Sequence, residues 1–215
     1  VNVLAFGGQE TIPLSAPFAY AINGFETIST GALIGLSTCD CNGIGFHFFR
    51  RTGIVLKLDY PRSRADFVLA APPAHDLSLP FADPPASLPG FDSAFIEVAV
   101  SDGTTIRTLV GLLDTGANVT VIREGLLGQP GLFTPDRQAL AISHDQLGSI
   151  SVTAGLFSTE GLPDLIIGVD AMRKWADHWY FDFTPGAGRV TVILDGQSFA
   201  QPDVSASDEA KRLAR

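Results

Sequence analysis

Short apolar stretches alternate with turn-forming residues along most of the 215-residue chain. Runs such as AFIEVAV, TIRTLVGLL and RVTVIL have the length of strands and carry β-branched residues, a pattern that favours β-structure. A helix is predicted from Asp170 to about Trp179, and a helical turn near REGLLG. The 22 Gly and 14 Pro favour short strands and turns over long helices. The sequence therefore predicts an all-β fold with few short helices.

Composition limits the classes of partner. The chain has 46% apolar and 17% charged residues, as soluble globular proteins do, and its 14 basic and 23 acidic residues give a formal net charge of -9. Because no Lys/Arg cluster occurs, nucleic acid and anionic membranes are disfavoured as partners. No apolar run approaches the length of a transmembrane helix, so no membrane insertion is expected.

One carboxylate interrupts an apolar stretch. In VGLLDTGANVTVI, residues 110–122, Asp114 stands between two apolar runs and is followed at once by a small turn. An Asp that opens a turn is common, because its side chain accepts hydrogen bonds from backbone N–H groups two residues on. Burying a lone carboxylate, however, costs several kcal/mol or more unless it is hydrogen-bonded, paired or protonated. Some compensating group is therefore expected beside Asp114.

The DTGA segment at 114–117, between apolar strands, resembles the catalytic loop of the retropepsin-like aspartic proteases, specifically the bacterial type with tandem lobes. In that family an apolar strand ending in Gly follows later and passes beside the loop, and a short helix comes next. Here IIG at 166–168 and the helical run after it have this order and spacing. The resemblance implies retropepsin- or pepsin-like barrels and hydrolysis of peptide bonds by a water molecule held between two aspartates.

The resemblance assigns roles to the loop residues. Asp114 corresponds to one member of the catalytic pair, and Thr115 to the residue whose hydroxyl ties two catalytic loops together. Gly116 is expected to permit a positive φ or a close backbone approach, and Ala117 to keep the floor of the cleft small. Two close carboxylates share one proton, so that one acts as base while the other donates a hydrogen bond to the scissile carbonyl.

Two further segments complete the candidate site. Ile166 and Ile167 are expected to pack against the loop, and Gly168 to let their strand pass close to it, although ordinary core residues would show the same pattern. A hairpin is predicted across ALAISHDQLGSISVTAG, and its tip is the candidate flap over the substrate, with a plain surface hairpin as the alternative. The candidate flap residues are His144, Asp145, Gln146, Leu147 and Gly148.

An internal repeat is indicated by a constant offset of 123 residues. GFHFFRRTGIVLKLDY matches GVDAMRKWADHWYFDF, so that Gly45 aligns with Gly168 and Asp59 with Asp182 without a gap. The same offset places the counterpart of Asp114 about nine residues before Val1. Neither STGA at 29–32, which has Ser in place of the carboxylate, nor DSA at 92–94, which lacks the Gly, is a convincing second site.

The predicted organisation is one partial and one complete lobe. Residues 1–70 are a partial N-terminal lobe without its catalytic loop, 71–88 a Pro-rich linker, 89–200 a complete lobe, and 201–215 a polar tail. Two alternatives stay open: a homodimer to which each chain contributes Asp114, and an inactive protease-like module that binds peptides. The second catalytic Asp is thus expected from a missing N-terminal segment or from a second chain.

No cofactor and no metal site are predicted. Cys39 and Cys41 are the two cysteines, and with His47 as the nearest further ligand they form a poor zinc site. A disulfide across the single intervening residue would be strained. No signal peptide is recognisable and the chain begins with Val, which leads us to expect a removed or unsequenced upstream segment. A periplasmic or secreted location is favoured, and a peptide or protein is the expected substrate.

Overall fold

The architecture is that of a computed structural model. It describes residues 2–5, 8–11, 18–22, 25–29, 49–50, 52–71, 76–88, 93–127, 137–158, 160–184 and 188–194. In chain order the strands are β1 Asn2–Ala5, β2 Gly8–Thr11, β3 Phe18–Ile22, β4 Phe25–Ser29, β5 Val55–Asp59, β6 Arg64–Val68, β7 Leu77–Pro80, β8 Phe95–Ser101, β9 Ile106–Leu113, β10 Val121–Arg123, β11 Arg137–His144, β12 Gly148–Phe157, β13 Leu165–Ile167, β14 His178–Asp182 and β15 Arg189–Ile193; helix α1 is Val169–Trp175.

Six strands close into a barrel in the order β10-β12-β11-β8-β9-β13. Side chains alternate along these strands, so that every second residue points into the barrel. Ile96, Val98 and Val100 of β8 and Leu140 and Ile142 of β11 are each at most 2% exposed and belong to one core cluster. The described structure is therefore mostly β, and the predicted all-β class is confirmed.

Strand β13 lies between two strands that follow each other in the sequence. It runs parallel to β9, with Ile167 opposite Leu113, and antiparallel to β10, with Ile166 opposite Val121. The loop that joins β9 to β10 must therefore pass the end of β13. This topology brings the DTGA segment beside the residues that follow Ile167.

A second sheet joins both halves of the chain in the order β6-β5-β14-β15-β7. Strand β7 comes from the stretch predicted as a linker, so residues 77–80 are part of a sheet and not of a free connection. The alternation of Leu77 and Leu79 with polar residues explains the strand, and Pro80 is tolerated because β7 is at the edge of the described sheet. The hairpins β1-β2 and β3-β4 form two further small sheets.

Strands β5 and β14 lie 123 positions apart and pair with each other. Leu56 is opposite Phe181 and Leu58 is opposite Trp179, while the middle pair is Lys57 with Tyr180. Exchanging each residue for its counterpart at this offset reproduces these three pairs, as a two-fold axis at the middle pair requires, whereas the fourth pair, His178 with Asp59, has no paired counterpart. Gly45, also aligned by the offset, lies outside the described residues.

The same offset relates two hydrogen bonds that precede these strands. The N–H of Gly53 donates to the carbonyl of Phe49 at 2.9 Å, and the N–H of Ala176 donates to that of Met172 at 3.1 Å. The hairpin β5-β6 has its counterpart in β14-β15, whose connection is two residues longer. The two hairpins thus occupy equivalent places around the middle of the sheet.

Helix α1 begins directly after the β13 strand. The helix ends at Trp175, whereas the sequence predicts it to continue to about Trp179. Ala176 is extended (φ −155°, ψ 151°), and the residues from His178 onward pair with β5, so strand pairing outweighs the helical pattern there. The helical turn predicted near REGLLG is a turn at 124–127 in the described part of that segment. The polar tail at 201–215 lies outside the described residues.

Candidate functional site

Asp114 stands at the end of β9, half-buried at the rim of the barrel. Its Oδ1 accepts a hydrogen bond from the N–H of Gly116 at 2.8 Å, and its own N–H donates to the carbonyl of Ile167 at 3.0 Å. The carboxylate is thus partly solvated and partly satisfied by the turn, which supplies the compensation expected from the sequence. Within the described ranges it makes no ion pair, and Gly116 provides its single hydrogen bond.

Of the other loop residues, Gly116 and Ala117 help to form the turn, whereas the Thr115 side chain does not. Gly116 does not adopt a positive φ; a Cβ there would lie 3.3 Å from Asp114 Oδ1, so its small size serves the close approach. The N–H of Ala117 donates to the carbonyl of Asp114 at 3.2 Å and closes the turn. The Thr115 hydroxyl makes no hydrogen bond to any residue that the structure describes, and its tie to a second loop stays a prediction.

Gly168 lets the β13 segment pass against the loop. A Cβ at this position would meet the carbonyl carbon and oxygen of Val119 at 2.5 and 2.6 Å and the carbonyl oxygen of Ala117 at 2.9 Å. These are backbone atoms that cannot rotate away, so no other residue fits without a shift of the loop. The next residue, Val169, donates its N–H to the carbonyl of Ala117 at 2.8 Å.

A buried threonine connects the loop to the start of α1. Thr120 is 0% exposed, its Oγ1 accepts the N–H of Gly168 at 3.2 Å, and it donates to Asp170 Oδ1 at 2.8 Å. Sequence reasoning missed both side chains, because a Thr between two valines matches an ordinary β-strand and Asp170 an ordinary first helical turn. Their separation of 50 residues leaves no local signal of the contact.

Ile166 and Ile167 face opposite sides of β13. Ile167 lies in the barrel core, whereas Ile166 belongs to a small separate cluster beside the loop. The members of this loop-side cluster are Val121, Phe157 and Ile166, with Ala117 and Leu162 packed against them. Ile166 thus packs on the loop side of β13, whereas Ile167 contacts the loop through its carbonyl, which accepts the N–H of Asp114.

Arg123 covers one side of the loop-side cluster. Its Nε donates to Asp164 Oδ1 at 2.6 Å, its Nη2 donates to the carbonyl of Leu162 at 2.8 Å, and its guanidinium lies 5.2 Å from the centre of the Phe157 ring. These contacts fix the segment that leads into β13, which in turn fixes the strand beside Asp114.

The candidate flap is anchored to the barrel. Leu147 is 1% exposed in the core, and Trp175 Nε1 donates to the carbonyl of Gly148 at 3.2 Å. His144 Nδ1 accepts the N–H of Gln146 at 3.1 Å, and burial lowers the pKa of His144 despite the opposing charge of Asp145. The His144 imidazole accepts a backbone N–H of the turn and so stabilises the hairpin itself. Closure of this hairpin over a substrate stays a prediction, and the contacts that anchor its tip to the barrel do not favour it.

The described residues form neither a cluster of metal ligands nor a membrane-spanning helix. No group of three or more His, Cys, Asp or Glu side chains that could hold a metal ion occurs within the described ranges. Cys39, Cys41 and His47 lie outside them. Among the described residues, no helix has the length and apolar character needed to cross a membrane.

No protein-family model matches this chain, and no curated protein matches it at a significant level. The function is therefore inferred from the geometry around Asp114.

Proposed function

We propose that this chain is an aspartic endopeptidase of retropepsin-like fold, in which Asp114 is one of two carboxylates that activate a water molecule. The observation that carries the proposal is the loop around Asp114. Each of four consecutive residues, 167 to 170, makes one hydrogen bond to this loop, while the described residues leave most of the acceptor capacity of the carboxylate unused. These bonds also cap the start of α1, and they fix the position of a carboxylate that can accept further hydrogen bonds, as a catalytic acid requires.

The chemistry follows from two carboxylates in one site. Two close carboxylates share a proton, because ionising both would place two like charges side by side. The ionised member takes a proton from water, whose oxygen attacks the carbonyl carbon, while the protonated member donates a hydrogen bond to the carbonyl oxygen. Breakage of the C–N bond then releases the amine with the transferred proton.

The second carboxylate is proposed to come from a segment that precedes Val1 or from a second chain. The two-fold register of β5 and β14 supports an internal duplication, and in a duplicated protein the first copy supplies the partner loop. In the homodimeric alternative, each chain contributes its own Asp114 across a two-fold axis.

The loop-side cluster belongs to the support of the Asp114 loop. Ala117 packs against Val121, Phe157 and Ile166, on the face of β13 opposite the barrel core, and these three side chains are 4–8% exposed. Because the fold itself buries them, they hold the loop in place and do not define a preference for the substrate side chain.

A peptide-binding module without catalysis is the second candidate. It is favoured by one observation: Asp114 shares no hydrogen bond with another carboxylate among the described residues. A single acid cannot both activate water and polarise the carbonyl.

The test compares the full-length protein, including any residues encoded before Val1, with its Asp114→Asn variant on an unfolded protein substrate between about pH 3 and 7, the range in which a proton-sharing pair works. Asp102→Asn is the matched control, because Asp102 is a half-buried turn carboxylate near the other end of β9. Circular dichroism establishes that all three are folded. We expect Asp114→Asn to abolish cleavage and Asp102→Asn to retain it.

Three outcomes separate the candidates. Equal rates for wild type and Asp114→Asn contradict the peptidase proposal. Peptide binding by a full-length protein that cleaves nothing identifies the binding module. Activity that rises with the square of protein concentration, alongside a dimer in light scattering, identifies the two-chain site.

A further inference from the structure

The start of helix α1 lacks a cap of its own. Its N-cap residue, Gly168, has no side chain that could accept the free N–H groups of the first turn, which must be satisfied from elsewhere. The carbonyl of Ala117 accepts the N–H of Val169, and Thr120 Oγ1 accepts the N–H of Gly168. The Asp114 loop therefore caps the helix from another part of the chain.

The Thr120 hydroxyl acts in two directions within this contact. It accepts from Gly168 and donates to Asp170 Oδ1 at 2.8 Å. The carboxylate of Asp170 accepts the hydroxyl hydrogen and so orients the oxygen lone pairs towards Gly168, and neighbouring hydrogen bonds in such a chain strengthen each other. The Asp170 charge is itself stabilised in the first turn of a helix.

We propose that Thr120 and Asp170 are positioning residues for Asp114, an inference that rests on the proposed function of Asp114. The Thr120–Asp170 hydrogen bond acts on Asp114 through the backbone of the loop and of residues 167–168. The Thr120–Asp170 pair holds Gly168 against Val119, and this places the carbonyl of Ile167 where it accepts the N–H of Asp114 at 3.0 Å. Loss of the hydroxyl leaves a buried N–H without an acceptor and loosens the loop at both ends.

The test measures native-state hydrogen exchange at single amides. In Thr120→Val we expect the amides of Gly168, Val169 and Asp114 to exchange about ten-fold faster, as loss of one buried hydrogen bond implies. Amides in the middle of β8 should keep their rates. Thr120→Ser restores the hydroxyl and should return all three amides to within about two-fold of wild type.

Two controls keep the result interpretable. Thr191→Val makes the same change at a threonine that is 3% exposed in the second sheet and bonded to Ser78 at 3.5 Å, and it should leave the three amides unchanged. Asp170→Ala removes the acceptor from a half-buried position and serves if Thr120→Val does not fold; it should accelerate the same amides by a smaller factor. Unchanged exchange in both Thr120→Val and Asp170→Ala overturns the proposal.

A kinetic measurement links the pair to catalysis. If the wild type cleaves peptides, Thr120→Val should lower kcat about ten-fold with KM within two-fold, and Thr120→Ser should recover kcat. An unchanged kcat with accelerated exchange overturns the positioning role. A full-length protein without activity rejects the proposed function, while the exchange result still decides whether the pair holds the loop.

Discussion

Two turns flank strand β9, and each begins with a half-buried Asp that accepts the N–H of the residue two positions on. At the first, Asp102 Oδ1 accepts three hydrogen bonds, from the N–H groups of Thr104 and Thr105 at 2.8 and 2.7 Å and from the Thr104 hydroxyl at 2.8 Å. At the second, Asp114 Oδ1 accepts one from the residues that the structure describes. The first carboxylate is used by the structure, whereas the second is left with capacity for a ligand.

The backbone hydrogen bonds of the two turns show the reverse: the Asp102 turn needs no distant segment, whereas the Asp114 loop is held by one. The Asp102 turn closes on itself, since the N–H of Asp102 donates to the carbonyl of Thr105 at 3.3 Å. The Asp114 loop depends on residues 167–170, some fifty positions later. The Asp102 turn is thus stabilised by its own residues, whereas the Asp114 loop is held by a distant segment, as the proposed function of Asp114 requires.

The largest expected effect comes from breaking the support of the second turn. Gly168→Ala should lower the free energy of unfolding by about 3 kcal/mol, because the added Cβ meets backbone atoms of Val119 and Ala117. Gly155→Ala is the control, since its Cβ would meet only the Val121 side chain at 3.2 Å. Urea unfolding monitored by Trp fluorescence measures both, and equal losses would show that the Gly168 approach is not critical.

A smaller effect distinguishes the two carboxylates directly. Asp102→Ala should cost about 2 kcal/mol of unfolding free energy, because three hydrogen bonds are lost, and Asp114→Ala about 0.5 kcal/mol. The same urea titrations measure the difference. A larger loss for Asp114→Ala would mean that its carboxylate, too, serves mainly the fold.

The sequence predicts the strands and the Asp114 loop because both depend on local patterns. Apolar alternation identifies β8 and β9, and the DTGA and IIG segments indicate which loops meet. The offset of 123 residues also anticipates the equivalence of β5 and β14, since it is a regularity of the chain itself. Local pattern and tertiary structure agree in these segments.

Other features depend on contacts between distant residues. Strand β7 was missed because a Pro-rich composition outweighed the alternation of Leu77 and Leu79, and its partner β15 lies more than a hundred residues away. The link from Thr120 to Asp170 has no local signal, and the burial of Leu147 at a hairpin tip cannot be deduced from a turn sequence. Tertiary packing decides each of these.

The smallest expected effect concerns pH and the first turn alone. Burial by itself raises the pKa of Asp102, but the N–H groups of Thr105 and Thr104 and the Thr104 hydroxyl outweigh it and hold the pKa below its ordinary value. A carboxyl whose pKa is lowered by folding stabilises the protein above its unfolded pKa, near 4, and this contribution is lost as the pH falls through the folded pKa. The difference in unfolding free energy between wild type and Asp102→Asn should therefore have its full value above pH 5 and shrink steadily below pH 4.

Thr104→Val removes one donor and should reduce the pH-dependent part of the stability without abolishing it. Urea titrations at several pH values measure these differences, and a gap that stays constant down to pH 2 would show that the hydrogen bonds at Asp102 do not favour its charged form.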